Sequence, residues 1–182
     1  RDRIYAVIRS AVIGHPSDAG ATEIFSAAAE QAKVPVRTIG LIEADGSGIA
    51  AAEERELKAI HRLWGEHHPG GALVGVGSVK GNFGHTLKAS MSAGILKAAL
   101  ALYHKVLPPQ ISAMRQAPSI SNLSSSAYLL NEARPWITGD NSTPRRAAVM
   151  GANFDAMNPI GNTATAGRSS VVILEEEPED RL

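Results

Sequence analysis

The stretch from residue 72 to residue 106 constrains the fold most. An apolar run, ALVGVGSVK, meets the short glycine-flanked turn GNFGHT and then the segment LKASMSAGILKAALALYHKV. That last segment is long enough for about five helical turns. Met91, Ile95, Ala98 and Leu102 recur in it at helical spacing. It is rich in Ala, Leu and Ser and carries few charges, so burial on most sides is expected. Its small residues would let neighbouring backbone come close.

The rest of the chain repeats this rhythm. Residues 3–13, RIYAVIRSAVI, read as a strand, long or bent. Residues 21–33 read as a short helix with Ile24, Ala28 and Ala32 on one face, stopped by Pro35. A strand is expected over 36–44, VRTIGLIEA, and a polar helix over 50–67, with Leu57, Ile60 or His61, and Trp64 along one side. Glu53, Glu54 and Glu56 fall early in that helix, where its dipole favours negative charge. After Pro108 an irregular region runs to about residue 126. Strands are expected at 127–131, 147–152 and 169–177, the last two separated by a Gly- and Asn-rich loop. Strands alternating with helices imply an α/β fold, a sheet sandwiched between helical layers. No internal repeat or heptad is visible.

Composition then narrows the function. A chain of 182 residues supports one domain with a real core. Its 18 basic and 18 acidic side chains cancel, and no Lys/Arg cluster or aromatic platform stands out, which argues against nucleic acid as a partner. No apolar run approaches the length of a membrane span. The cysteine count is zero, so this chain carries neither a disulfide nor a cysteine nucleophile. That agrees with a cytoplasmic location. The opening, which runs from Arg1 straight into a strand, reads as part of something longer.

Two residues are candidates for chemistry. Asp45, in IEADGSGI, and His85, in GNFGHT, each end a strand-to-turn step. The carboxyl ends of strands in open α/β sheets collect functional groups. His85 would lie just before the buried helix or in its first turn, where the positive helix end favours a neutral ring. Such a ring can donate to an oxyanion or accept a proton. Lys80 and Asn82 lie close by in sequence. The plainer alternative stands beside this: Asp before Gly is a common turn residue, and His before a helix is a common cap. GSVKGNFG lacks the spacing of a phosphate loop. His67 and His68 read as a solvated helix end, not a metal site. Met150, Phe154 and Met157 border either a ligand-facing loop or a surface one.

GSVKGNFGHTLKASMSAGILKAALALYHKVLPPQI resembles the strand, loop and long helix around the second active-site histidine of β-ketoacyl synthases. The likeness is greatest to the ketosynthase domains of polyketide and polyunsaturated-fatty-acid synthases. DRIYAVIRSAVI, NEARPWI, RRAAVMGANF and SSVVILEE resemble other segments of those domains, so the likeness covers nearly the whole chain. It implies the thiolase-like layered α/β/α fold. Residues 1–182 would be the C-terminal half plus the last strand region of the N-terminal half. The N-terminal part, which bears the family's cysteine, would lie outside this chain.

The resemblance also assigns roles. His85 matches the second histidine and Lys80 the lysine that serve decarboxylation and condensation with a malonyl thioester. The first histidine belongs to a segment usually written EAHGTGT; here that segment is EADGSGI, and the matching position is Asp45. The helix that follows keeps its place but lacks the family's Asp-Pro opening. The final loop, longer than the family's FGFGGTNAHVVLEE, lacks its clean glycine pair. Asn82, Phe83, Gly151 and Phe154 are the substrate-binding positions expected, and no metal is. The chain itself would bind no cofactor; its substrates would be acyl groups on the phosphopantetheine of an acyl carrier protein. Other implied partners are an N-terminal ketosynthase half and a second subunit, in a homo- or heterodimer. A deprotonated Asp45 has no proton to donate to a developing enolate, so a non-elongating, chain-length-factor-like or structural role is expected. The alternative is the working half of an active synthase whose cysteine comes from a companion chain.

Overall fold

The computed structural model describes residues 2–14, 21–65, 73–110, 127–139, 143–152 and 169–178. Strand β1 (Val7–Gly14) is followed by helix α1 (Ala21–Ala32), β2 (Leu41–Glu43), α2 (Ala50–Gly65) and β3 (Val74–Gly77). One helical turn, α3 (Lys80–Phe83), leads to the long helix α4 (Ser90–His104). Then come β4 (Val106–Leu107), β5 (Ala127–Leu129), β6 (Arg134–Pro135), β7 (Arg146–Ala152) and β8 (Ser169–Glu175).

Six of these strands form one sheet in the order β1-β8-β7-β2-β3-β5. β7, β2, β3 and β5 run parallel, whereas β8 is antiparallel to both β7 and β1. Alternation along the strands divides the core in two. Ile42, Ala148, Met150, Val171 and Ile173 point to a layer shared with Phe25, Ile60 and Trp64 of α1 and α2. Leu41, Ala147, Val149, Val172 and Leu174 point the other way, onto Ala98, Ala101 and Leu102 of α4. Each fully buried Leu or Ile stabilises the fold by about 1.5–3 kcal/mol. The rings of Phe25 and Trp64 join α1 to α2 edge-on, with centroids 5.4 Å apart. This is the expected α/β/α sandwich.

Several boundaries differ from expectation. Residues 36–44 do not form one strand. Val36–Thr38 is a 3-10 turn in which the Thr38 and Ile39 N–H groups donate to Pro35 and Val36 carbonyls, and extended pairing starts only at Gly40. The long helix starts later than Leu87, because Leu87–Ala89 is a separate 3-10 turn with Leu87 at φ 52°. It ends at His104, where Lys105 takes the left-handed conformation and satisfies the last-turn carbonyls. Burial of α4 is also one-sided: Gly94, Ala98, Ala101 and Leu102 are covered, whereas Leu96 and Leu100 are exposed. The β4–β6 pair has no periodic signature in sequence, since two residues a side cannot show one. β1 is bent as read, by an irregularity between Ile8 and Ser10. There the buried Ser10 hydroxyl donates to the Ala28 carbonyl at 2.8 Å.

Among the described residues no helix is long and apolar enough to cross a membrane. His67, His68, Phe154, Met157 and the whole loop between β7 and β8 lie outside the described residues. Met150 is a buried core residue of β7.

Candidate active site

Parallel pairing builds the site. β2 and β3 are in register, Glu43 opposite Gly77, so both chains turn at the same edge of the sheet. Pairing continues one step further, from the Ala44 N–H to the Gly77 carbonyl at 2.8 Å. Asp45 and Lys80 then lie on adjacent turns at the carboxyl ends of parallel strands.

They meet there. The Lys80 ammonium donates to the Asp45 carboxylate at 2.5 Å and to the Asp45 carbonyl at 2.6 Å. Both side chains are nearly buried, 7% and 12% exposed for Lys80 and Asp45. The Ser78 hydroxyl reaches the same carbonyl at 3.3 Å. Gly46, with φ 51°, makes the turn possible. A Cβ there would also lie 2.7 Å from the Ser78 side chain.

Two carboxylates hold these turns from behind. Glu56 of α2 accepts the Asp45 N–H at 2.6 Å through one oxygen and the Gly46 N–H at 3.1 Å through the other. Its neighbour Glu53 accepts the Gly48 N–H at 3.1 Å. Burial pushes the Glu56 carboxyl up to about 7, against the pull of the two N–H bonds, and the nearby Asp45 charge adds to the rise. Of the early acidic run in α2, only Glu53 lies in the first helical turn. Glu54 pairs with Lys58 on the surface at 2.8 Å.

Glu43, at the end of β2, is the second support. It accepts the Val79 N–H through one oxygen and faces the Lys97 ammonium at 2.8 Å through the other. Burial pushes the Glu43 carboxyl up, opposed chiefly by Lys97. Helix α4 reaches this depth because Gly94 faces the sheet. A Cβ on Gly94 would lie 2.9 Å from Val149 and 3.1 Å from Glu43.

Glu43, Asp45, Ser78, Lys80, Ser90 and Gly151 are among the residues lining one recess. His85 is exposed and stands beside it. Its Nδ1 accepts the Leu87 N–H at 2.9 Å and lies 3.4 Å from the Ser90 hydroxyl, itself part of the recess wall. A neutral ring held this way carries its proton on Nε2, as a donor. Asn82 turns elsewhere and donates to the Pro109 carbonyl at 3.4 Å. Phe83 is 60% exposed and Phe154 lies outside the described residues. Among the described residues no group of three or more His, Cys, Asp or Glu could hold a metal ion.

Sequence reading missed Glu43, Glu56 and Lys97. A signal exists for two of them. Glu56 shares a helix face with Ile60 and Trp64, and Lys97 shares one with Gly94 and Ala101. A charged group on a buried face needs a partner.

The family model described as "Beta-ketoacyl synthase, C-terminal domain" matches residues 6–114. The chain belongs to the β-ketoacyl synthase family. Among curated relatives, the "Hybrid PKS-NRPS synthetase pytA" of Aspergillus terreus is 30% identical over 194 residues, covering 97% of this chain and 29% of that protein. A "Mycocerosic acid synthase-like polyketide synthase" of Mycobacterium tuberculosis is 32% identical over 166 residues, 86% of this chain and 8% of the relative. Among solved structures, the ketosynthase from module 6 of the bacillaene synthase of Bacillus subtilis 168 superposes with a TM-score of 0.83 at 27% identity. That match takes in 98% of this chain and 33% of the other. The oxazolomycin ketosynthase domain OzmH KS7 of Streptomyces albus JA3453 gives 0.82 at 26% identity, over 97% and 31% of the two chains. The fold is therefore the thiolase-like α/β/α fold of ketosynthases. The chain spans less than a third of the first of these curated relatives and about a third of the two solved domains.

Proposed function

We propose that this chain is the C-terminal part of a ketosynthase-type component of a polyketide or fatty-acid synthase, one that holds acyl thioesters without running ordinary elongation. The observation that supports this most directly is the Lys80–Asp45 pair. In decarboxylative condensation the malonyl carbon–carbon bond breaks and its electron pair moves onto the thioester oxygen as an enolate. Donors must face that oxygen. Removing one such donor costs about 3 kcal/mol in well-studied enzymes. At the first-histidine position suggested by EADGSGI, the ionised Asp45 carboxylate is an acceptor only, and its charge has the sign of the enolate. It also engages the Lys80 ammonium, so the nearest positive charge is already compensated. The partners in this reading are an N-terminal ketosynthase half, an acyl carrier protein and a second subunit, acting in the cytoplasm. Incubating the complete assembly with acyl and malonyl carrier proteins tests it: acyl occupancy without carbon dioxide release is the expected result, and stoichiometric ketide formation contradicts it.

A second reading has one observation in its favour. His85 Nδ1 accepts the Leu87 N–H at 2.9 Å, an arrangement that would leave Nε2 as the donor a catalytic imidazole needs. The chain would then be the working half of an active synthase whose cysteine is supplied by a companion chain. A cysteine at the expected turn of that companion, together with ketide formation, favours this alternative.

A further inference from the structure

Glu56 has no role in the chemistry just described, yet its geometry is more specific than helix-end electrostatics requires. Its two oxygens take one N–H each from consecutive residues, Asp45 and Gly46. The Asp45 carbonyl, on the same short turn, accepts from Lys80 and Ser78. One face of the turn is thus gripped by a carboxylate and the other by an ammonium and a hydroxyl. A glycine at 46 leaves the turn little stiffness of its own, so the outside contacts set its position. α2 is fixed in turn by Ile60 and Trp64 in the core, so Glu56 is anchored to a rigid element.

We propose that Glu56 is the positioning residue of the site: by gripping the Asp45 and Gly46 N–H groups it holds the Asp45 carboxylate and carbonyl against Lys80. This rests on the reading of Asp45 and Lys80 as active-site residues. The charged groups facing Glu56 are Asp45 on the β2 turn and Lys80 on the β3 turn. A carboxylate accepts both N–H bonds well, whereas a neutral acid or an amide has one good acceptor oxygen. Because the closed turn raises the Glu56 carboxyl to about 7, above its ordinary 4.5, loss of the proton weakens the closed arrangement as pH rises. Release of the turn exposes Lys80.

Trace acetylation of the intact protein, quantified residue by residue, reads this directly. Lys58, with its side chain 71% exposed, is the internal reference for Lys80, which is 7% exposed. In the unaltered protein the Lys80-to-Lys58 labelling ratio is expected to be low and to rise as pH rises through about 7, because the closed turn holds the Glu56 proton more tightly than an open, solvated one. Glu56→Ala, which removes both acceptor oxygens, is expected to raise the ratio about tenfold, as loss of the two hydrogen bonds increases local opening, and to abolish the inflection. Glu56→Gln, which keeps one acceptor oxygen and no charge, is expected to restore part of the protection without the inflection. An unchanged ratio in a folded Glu56→Ala protein overturns the proposal. So does the absence of an inflection in the unaltered protein, a readout that stands even if the variant fails to fold. Labelling reports the Lys80–Asp45 geometry and not decarboxylation, so this proposal and the proposed function can fail separately.

Discussion

The Lys80 ammonium lies 2.5 Å from the Asp45 carboxylate and closes the turn after β2 onto the turn after β3. Both residues are nearly buried, so the pair is shielded from solvent and resists screening by salt. The chemistry open to the site depends on this pair, and so does the network behind it.

Glu56 links that network to pH. Its folded value, about 7, lies above the ordinary 4.5, so the folded chain binds this proton more tightly than the unfolded chain. The resulting stability is fully present below about pH 4.5 and is lost as pH rises through about 7. Urea unfolding at pH 5 and pH 8 is expected to show a fall of about 1–3 kcal/mol attributable to this group. Glu56→Gln is expected to flatten the dependence; parallel curves for the two proteins would contradict the account.

The Glu43–Lys97 pair is buried, 2% and 10% exposed for its two side chains. Lys97→Met leaves Glu43 without its compensating charge, at a cost of about 3–5 kcal/mol. The upward shift of Glu43 then grows, and its sign means that stability is retained in acid and lost toward neutral pH. The variant should therefore recover on acidification toward pH 5, and a second substitution, Glu43→Gln, should recover most of the loss at pH 7. Thermal unfolding across that range checks both outcomes.

Gly94 offers a test of packing. Ala is a better helix former than Gly by about 1 kcal/mol, which alone predicts a gain from Gly94→Ala. The new methyl group would, however, meet Val149 at 2.9 Å and Glu43 at 3.1 Å. Overpacking costs about 1–3 kcal/mol, so net destabilisation is expected. A rise in the urea midpoint would mean that α4 can move off the sheet more freely than its contacts imply.

The layered fold is legible in sequence because its signals are local. VGVG and SSVVILE are short runs rich in β-branched residues, which read as strands by length and residue type, and Ile24, Ala28 and Ala32 mark their helix face by spacing. The turn at Asp45 is legible for the same reason, whereas Lys80 reads as the end of the apolar run ALVGVGSVK yet opens the helical turn α3, because β3 stops at Gly77. What spacing cannot show is which distant groups close on those turns. Glu56 looked like an early-helix acid, Glu43 lies one residue inside the expected strand end, and Lys97 lies in a helix expected to carry few charges. Their roles appear only once β2, β3 and α4 are packed together. The one-sided burial of α4 was hidden too, because a helix nearly free of charge looks apolar all round.

The most direct test of the central claim is carbon dioxide release from a malonyl thioester by the complete assembly, before and after Asp45→His. Slow release is expected with Asp45 and an increase of about a hundredfold with His, corresponding to one regained oxyanion donor and a removed negative charge. Equal rates in the two proteins, both folded and both loaded with acyl substrate, would contradict it.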